Sequence, residues 1–525
     1  GFFLSNEQNA LKWNGALYRK MTAQLGVKLD NVLHIGDNAK IDVEAAKKAG
    51  LRAMLLPRPA DVFMDADCTQ MANLGHGCLA GFTTADAMQP LALRCAQGLA
   101  ANRFFDDGYA PATADSAFAA YPSRLGYYAV GTHLLALAKW LLCRCRADGV
   151  KRLVFLARDG ALLRQAVELL HTDTDVVETD YIPASRRCLL PALMANPTDW
   201  AALPVRWAVY TPEKTLKLLS FCTLDAPESE LRHQAEAAGF PWQSPFQEKT
   251  RWESFLRFFR DKLYDGCRHQ AAYSAARAYY EEKLPDGSAC FDMGYSGRLQ
   301  AALCQLTQRA LPVYYVHADG RNSERLSAAY DFPVHCFYPM APAMSGAFRE
   351  FLLSSDEAPC VGFERQNARV VPVYAQEGRN EAAHFLSTCV QHHALQFVRD
   401  FHDTFAGTGV MQSLDSPGVQ LAMSMPFEGV LRQLPEADAE LLRNIPFEDV
   451  VFAGENALDL RTLVRDQSAE AAVAAHELGA ADAPSRMIGF IPEQTGLVKR
   501  TIGFLLFDRE TFRKKLRKRM HRSQK

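Results

Sequence analysis

Two aspartates near the start of the chain have the residue type and spacing of a metal site. Asp37 follows the apolar residues 32–35 and Gly36, and Asp42 comes five residues later, where a helical pattern begins. A strand that ends in Gly-Asp and continues into a helix brings both carboxylates toward one point above the sheet edge. Oxygen ligands at such a point suit Mg²⁺. Asp37 and Asp42 are therefore the predicted metal ligands, with Mg²⁺ as the predicted cofactor.

The residues that follow supply the elements that position these carboxylates. Residues 41–50 have an alanine-rich helical pattern that ends at Gly50, and residues 51–56 have the pattern of a strand. Strand, helix and strand in this order predict a βαβ unit, and open α/β sheets bind ligands at the carboxyl ends of their strands. An ordinary turn is the alternative, because Asp also caps helix N-termini.

Together with Lys12, these aspartates resemble two motifs of the haloacid dehalogenase (HAD) superfamily of Mg²⁺-dependent phosphohydrolases. The third motif of that family is a Lys after a strand, which Lys12 matches if residues 1–5 form the strand. The fourth motif is Gly-Asp followed by a further Asp, as at Asp37 and Asp42. The resemblance implies that Lys12 holds a phosphoaspartate while the two aspartates place Mg²⁺. More narrowly, the segment resembles predicted hydrolases of bacterial surface-polysaccharide clusters, which often stand beside or are fused to glycosyltransferases.

The first motif of the family, which carries the Asp nucleophile and an acid/base Asp two residues later, has no convincing match. Asp65 and Asp67 have the right spacing. However, they follow the fourth motif instead of preceding the third, and the apolar residues 62–64 before them are too short for a buried strand. Because the chain also begins with Gly1, we expect an N-terminally truncated HAD-type protein that is inactive as a phosphatase in this form.

The composition is that of an ordinary soluble globular protein of several domains. The chain has 525 residues, 48% of them hydrophobic and 22% charged, and a net charge of −2 that does not favour nucleic-acid binding. Its thirteen cysteines are scattered without zinc or disulfide spacing, which indicates a reduced, cytoplasmic protein. The most apolar stretch, residues 127–143, is interrupted by His133 and Lys139 and is predicted to be a buried helix instead of a membrane span.

A second and longer α/β pattern begins near residue 148. Residues 152–157, 176–182, 289–293 and 313–318 have strand patterns, and residues 161–170 and 298–306 have helical spacing. Parallel strands in a doubly wound sheet would bring the polar turns at their ends together. The fold class predicted for the chain is therefore α/β: the C-terminal half of a HAD Rossmann-like domain, a second doubly wound α/β domain and a mostly helical C-terminal region.

The polar turns of this second pattern predict an anion site. Arginines in the turns suit phosphate, serines and turn amides can orient it, and glycines allow tight strand-to-helix turns. Similar turns, and a similar acidic segment at residues 348–355, recur in the polysaccharide-associated proteins, although the resemblance implies no reaction for this part. Single turns of this kind also occur without a ligand, and His133 and His317 are predicted to be core histidines. The predicted ligand-binding residues are Arg158, Asp159, Gly160, Ser185, Arg186, Arg187, Asp292, Gly294, Ser296, Gly297 and Glu350.

The chain is predicted to contain five regions. In order they are the C-terminal part of a HAD-like domain, a helical connector, the second α/β domain, a mostly helical region and a basic tail, over residues 1–60, 61–147, 148–370, 371–510 and 511–525. The tail carries eight Lys or Arg residues, each of which contributes ~1 kcal/mol when it lies near an anionic membrane surface. Weak contact with the inner membrane face or a glycan is one interpretation of this tail, and a solvated terminus is the other.

Three functions are compatible with these patterns. The first is a HAD-type phosphohydrolase, truncated here, that acts on a phosphorylated sugar in surface-polysaccharide assembly. The second is a binding or transferase module for a phosphosugar or nucleotide-sugar that works with a glycosyltransferase, with the HAD remnant as scaffold. The third is a non-enzymatic assembly partner that docks through its helical region and basic tail.

Overall fold

The structure, a computed structural model, describes most of the chain up to residue 464. The basic tail, and with it the predicted membrane or glycan contact, lies outside the described residues. The described residues are 2–74, 90–109, 113, 115–171, 177–194, 210–318, 320–338, 346–367, 369–376, 380–432, 434–447, 458–462 and 464.

Eleven strands in these ranges form four sheets. A five-stranded parallel sheet has the order β4-β3-β5-β6-β7, β1 and β2 form a parallel pair, and β8 with β9 and β10 with β11 form antiparallel pairs. The strands are β1 Leu33–Gly36, β2 Arg52–Leu55, β3 Arg152–Leu156, β4 Glu178–Ile182, β5 Ser288–Asp292, β6 Val313–Tyr315, β7 Val334–Cys336, β8 Cys360–Gln366, β9 Arg369–Tyr374, β10 Pro446–Phe447 and β11 Leu458–Asp459.

Helices make up most of the remaining described chain. None of the described helices is both long enough and apolar enough to cross a lipid bilayer. The α-helices of eight or more residues are Ala16–Leu25, Leu91–Phe104, Gly131–Asp148, Ala161–Leu170, Arg186–Met194, Glu228–Ala237, Lys249–Phe258, Gly266–Lys283, Arg298–Thr307, Gly320–Tyr330, Gly346–Leu353, Glu381–Phe405 and Met425–Arg432. Shorter helical segments include Ser5–Gln8, Ala39–Glu44, Ala45–Lys48, Pro59–Met64, Leu125–Val130, Pro212–Leu218, Phe259–Leu263, Pro417–Met423 and Glu436–Ala439.

The five-stranded sheet is covered by helices on both faces, as the doubly wound prediction requires. Alternate residues of β3 enter different cores, with Leu153 and Phe155 on one face and Val154 and Leu156 on the other. The helix after β3 lies on the first face and the helix after β5 on the second. Because these two neighbouring strands send their connections to opposite faces, the chain reverses its winding between β3 and β5. Such a reversal opens a crevice at the carboxyl ends of the strands.

The β1–β2 pair, in contrast, has a very small core. Tyr18, Ala46 and Leu51 are its buried members, whereas Leu33 and Ile35 on β1 are 55% and 51% exposed. The predicted βαβ connection is present, although a π-helical turn at Ala39–Glu44 precedes the short α-helix Ala45–Lys48. An apolar face of this two-stranded sheet therefore lies open in the described structure.

Two local predictions were wrong. Residues 2–4 are not a strand, so Lys12 follows the short helix Ser5–Gln8 instead of a strand end. Residues 62–64, ahead of Asp65, do not form a buried strand, as predicted, and belong to the helix Pro59–Met64, in which Pro59 at the start fixes a helical backbone angle. The pattern at residues 458–478 predicts a helix, yet Leu458–Asp459 pairs with Pro446–Phe447 as a strand, and most of that segment lies outside the described residues.

Candidate functional site

The turn after β1 packs Asp42 directly against the strand end. Asp42 is buried within the turn Ala39–Glu44, and the Asn38 side chain caps that turn by accepting hydrogen bonds from two of its backbone amides. A Cβ atom on Gly36 would fall 2.4 Å from the Cβ atom of Asp42. The glycine of the Gly-Asp motif is therefore needed to let the second carboxylate approach the strand.

The Asp42 carboxylate already has its hydrogen-bond partners. Its Oδ1 atom lies 2.9 Å from Nζ of Lys12 and 3.0 Å from Nε2 of His34, and its Oδ2 atom accepts a hydrogen bond from the Asn38 amide at 3.2 Å. Burial alone would raise the pKa of Asp42, but the hydrogen bonds from His34 and Lys12 outweigh burial and hold that pKa below its usual value of 3.8. Asp42 is therefore an ionised residue whose charge is balanced by Lys12.

Asp37, the other predicted metal ligand, faces a different cation. Its Oδ2 atom lies 3.1 Å from Nε of Arg58, and its side chain is 44% exposed. In the part of the chain that the structure describes, no three His, Cys, Asp or Glu side chains are grouped so that they could hold a metal ion. Because Asp42 is bonded to Lys12 and Asp37 to Arg58, this arrangement does not offer Mg²⁺ a ligand set.

A second group of carboxylates lies where β3 and β5 end side by side. Asp292, the last residue of β5, is buried, and Asp159 follows β3 in the adjacent turn. The hydroxyl of Ser354 donates a hydrogen bond to Asp159, and the amide of Ser355 donates one to the carbonyl of Arg158 at 3.0 Å. The end of the helix Gly346–Leu353 is thereby fastened to the turn after β3.

The two carboxylates disfavour each other's ionisation. Burial, and next the charge of Asp159, raise the pKa of Asp292 well above its usual value of 3.8, and Glu350 adds to this rise. Burial also raises the pKa of Asp159, although Ser354 and the nearby arginines oppose that rise. The charges of Asp159 and Glu350 thus both act on Asp292.

The turn after β5 has the shape that its glycines predict. Gly294 has a φ of +126°, and a Cβ atom there would lie 2.3 Å from the carbonyl oxygen of His317 beyond β6. Gly297 also has a positive φ and directly precedes the helix Arg298–Thr307, with the half-buried Ser296 between the two glycines. The turn thus holds the end of β5 against the neighbouring strand end.

The turn after β4 brings arginines to the same edge of the sheet, whereas its serine forms hydrogen bonds with backbone groups of the protein. The Oγ atom of Ser185 donates a hydrogen bond to the carbonyl of Cys360 at 2.5 Å and accepts one from the Cys188 amide at 3.1 Å. Arg186 and Arg187 are exposed, and the charge of Arg186 opposes the rise in pKa of both Asp159 and Asp292. Arg186 therefore lies near the carboxylates, whereas Ser185 serves as a helix cap.

A buried arginine that was not among the predicted site residues lies at the back of this group. Arg349 is fully buried, and its Nη2 atom lies 2.7 Å from Oε1 of Glu428, which is equally buried. The hydroxyl of Tyr338 donates a second hydrogen bond to Glu428 at 2.7 Å. The available signal was the position of Arg349 among the apolar residues of the helix Gly346–Leu353, where a charged side chain needs a buried partner.

Comparison with known proteins identifies only the first of these two regions. Residues 11–71 match the family model described as HAD-hydrolase-like. The match contains Lys12, Asp37 and Asp42 and ends well before β3. A search of curated proteins finds no match to the chain. The segment that carries the β1–β2 pair is thus HAD-hydrolase-like, which supports membership of the HAD superfamily.

Proposed function

We propose that the chain binds a phosphosugar or nucleotide-sugar at the carboxyl edge of the five-stranded sheet, and that the HAD-like segment is a scaffold for this site. The observation that supports the proposal is the meeting of the turns after β3, β4 and β5 where the winding reverses. Open parallel sheets bind their ligands in the crevice at this point.

The arginines at the rim of the edge suit the anionic part of such a ligand. Arg158, Arg186 and Arg187 are exposed and belong to turns whose strands are direct neighbours. A guanidinium group donates several hydrogen bonds in a fixed plane and can bind phosphate through two of them. The rim is therefore the expected position of the phosphate or pyrophosphate.

The carboxylates behind the rim suit either binding or group transfer. A carboxyl group such as Asp292, whose pKa is raised by burial and by Asp159, keeps its proton at a higher pH than an exposed aspartate. A protonated carboxyl donates a hydrogen bond to a sugar hydroxyl, and it can also pass its proton to a leaving group. Both a binding module and a transferase are consistent with this chemistry.

Thermal unfolding with a panel of ligands tests the proposal. The panel comprises UDP-glucose, UDP-N-acetylglucosamine, GDP-mannose and the 1-phosphates of glucose, galactose and mannose. A ligand at one hundred times its Kd adds about 2.7 kcal/mol to the free energy of unfolding and raises the melting temperature measurably. Unchanged melting curves with every member of the panel would contradict the proposal.

A double variant localises the site. Arg158→Ala with Arg186→Ala removes two exposed rim cations, so the fold should persist while the ligand-induced rise in melting temperature is lost. Arg232→Ala is the matched control, because Arg232 is also exposed and forms only a pair with Glu236 on the same helix. Equal protection in the double variant and the control would place the ligand elsewhere.

A second candidate function is that of a HAD-type phosphohydrolase, and the match over residues 11–71 favours it. The lysine and the two aspartates of the family motifs are present, but the contacts of Asp37 and Asp42 leave the predicted Mg²⁺ role unsupported. Hydrolysis of p-nitrophenyl phosphate with and without Mg²⁺ tests this candidate. Mg²⁺-dependent turnover that disappears in Asp37→Ala would support it, and equal turnover in both proteins would exclude it.

A role in surface-polysaccharide assembly and a glycosyltransferase partner are proposals that rest on the resemblance of the motifs. Co-purification of the tagged full chain with glycosyltransferases of its native host tests the partner. Deletion of residues 511–525 tests the tail, because contact with anionic vesicles should then be lost. Unchanged vesicle binding in the deletion variant would contradict a membrane role for the tail.

A further inference from the structure

Unpartnered polar atoms gather behind the carboxylates of the five-stranded sheet. Nine buried side-chain nitrogen or oxygen atoms of the described residues lack a hydrogen-bond partner, and five of them belong to four neighbouring side chains. These five atoms are Nε and Nη1 of Arg349, Oη of Tyr295, Nδ1 of His317 and Nε2 of His133. The remaining four atoms belong to Arg152, Ser288, Gln300 and Arg461.

Ring contacts and charges place these side chains together. The rings of Tyr295 and His317 have centroids 4.1 Å apart. The guanidinium carbon of Arg349 lies 5.3 Å from the ring of Phe427, which stacks on His133 at 4.6 Å. Burial, and next the charge of Arg349, lower the pKa values of both histidines well below the usual 6.5. The two histidine rings are therefore neutral near pH 7.

Tyr295 connects this cluster to the carboxylates in front of it. Burial raises the pKa of Tyr295, and the negative charge of Glu350 adds to the rise, as do those of Asp159 and Asp292. The charge of Arg349 opposes it. A Cβ atom on Gly346, at the start of the helix that carries Arg349, would lie 3.6 Å from the Tyr295 hydroxyl oxygen, so this hydroxyl lies against that helix.

A buried donor without a partner costs free energy, and native proteins keep few of them. The cluster is also nearly neutral, because Glu428 balances Arg349 and the histidines are uncharged. Binding of an additional anion here therefore gains little electrostatic free energy. A neutral group with several hydroxyls, in contrast, can both donate hydrogen bonds to these atoms and accept hydrogen bonds from them. Resting on the proposed function, we infer that Arg349, Tyr295 and His317 bind the neutral, hydroxyl-bearing part of the ligand whose phosphate lies at the arginine rim.

The variant Tyr295→Phe tests this inference because it removes one unpartnered hydroxyl and nothing else. A tyrosine hydroxyl with no protein partner contributes no hydrogen bond to the fold, so the melting temperature without ligand should be unchanged or higher. Tyr127→Phe is the matched control. The Tyr127 hydroxyl lies away from the site and donates a hydrogen bond to Asp400 at 2.7 Å. The control should have a lower melting temperature and unchanged ligand affinity.

Calorimetry with the 1-phosphates of glucose, galactose and mannose, and with methyl phosphate, separates the two ends of the ligand. Methyl phosphate has the phosphate but no sugar. Tyr295→Phe should weaken binding of the preferred sugar phosphate about tenfold while its affinity for methyl phosphate stays the same. Equal affinity of wild type and Tyr295→Phe for every sugar phosphate would mean that the cluster holds ordered water only, and would overturn the inference.

The neutral sugars glucose, galactose and mannose distinguish failure of the inference from failure of the proposed function. If methyl phosphate and all sugar phosphates bind wild type equally, the phosphate site stands and the hydroxyl site is overturned. If no phosphate binds but a neutral sugar protects wild type and not Tyr295→Phe against heat, the phosphate rim is overturned and the hydroxyl site stands. Absence of binding by every probe overturns both.

Discussion

The turns after β1 and β5 are built alike but balance their charges differently. In each turn a strand leads through an aspartate into a helical segment. A glycine lies where another group comes close, which is the Asp42 side chain after β1 and the His317 carbonyl after β5. After β1, Asp42 is paired with Lys12 and His34. After β5, Asp292 faces Asp159 and Glu350, so like charges are crowded together.

The two regions thus differ in how their charges are balanced. The segment with the family match has paired charges and a small core. The segment without a match has carboxylates of raised pKa beside unpartnered polar atoms, and such groups concentrate at functional sites. The family match and the crowded carboxylates therefore lie in different parts of the described chain.

The largest expected effect is at the buried pair behind β5. Arg349→Met removes the cation that balances the buried Glu428 and should lower the free energy of unfolding by about 3–5 kcal/mol. Adding Glu428→Gln removes that charge and keeps an acceptor for Tyr338, so the double variant should recover much of the loss. Urea unfolding measures both, and an equal loss in the single and double variants would show that lost packing dominates.

The second-largest loss of stability is expected at Gly294, where the backbone conformation is constrained. Gly294→Ala places a methyl group 2.3 Å from the His317 carbonyl at a φ of +126°, which should cost about 2–3 kcal/mol. Gly362→Ala is the control, because no atom lies within 4 Å of its added methyl group and its φ is negative. Urea unfolding of the two variants compares them. Similar losses in both would mean that the turn after β5 can relax.

Replacement of Asp42 and of Asp292 by asparagine should change the free energy of unfolding in opposite directions, with a different dependence on pH. The pKa of Asp42 is lowered, so its ionised form stabilises the fold above its usual value of 3.8, and this contribution is lost only as pH falls through the lowered pKa. Asp42→Asn should therefore cost about 1.5–3 kcal/mol from pH 7 down to pH 5, with no trend in that window.

The pKa of Asp292 is raised, so ionisation costs stability progressively as pH rises from 3.8 toward the raised pKa. Asp292→Asn should stabilise the protein by about 1 kcal/mol or more at pH 7, and the gain should shrink toward pH 5. Urea unfolding at pH 5, 6 and 7 measures both aspartate variants. Parallel curves for the two would remove the contrast between the turns.

The smallest effect is expected at Lys12. Its side chain is 40% exposed, so solvent screens its pair with Asp42, and Lys12→Met should cost less than about 1 kcal/mol. The half-buried His34 contact and the Asn38 amide remain to hold the carboxylate. A loss as large as that of Arg349→Met would show that the HAD-like segment depends on this ion pair more than its exposure indicates.

The sequence predicts the second α/β region better than the first. Apolar runs and glycine turns there are long and regular, so helix 161–170 is predicted at the bounds observed for Ala161–Leu170, and the strand predicted at residues 289–293 is observed as Ser288–Asp292. Residues 1–5 look like a strand by composition, but no partner strand lies beside them in the described structure. Pairing, and not propensity, decides strand formation in such short segments.

The site could be predicted only where the chain places its residues at strand ends. Asp159 and Asp292 follow apolar strands, so parallel pairing alone brings them together. Arg349 and Tyr295 meet through packing of a helix and a turn that are distant in sequence, which no local pattern records. The competing bonds of Ser185 and Asp42 depend on the same kind of long-range contact.

The open face of the β1–β2 pair has a consequence for handling the protein. Leu33, Ile35 and Met54 form an apolar patch on a short parallel sheet whose strand edges can accept further strands. Association through this patch grows with concentration even when every molecule is folded. A lysine at position 33 or 35 would place a charge in this patch and should raise the concentration at which the chain stays monodisperse.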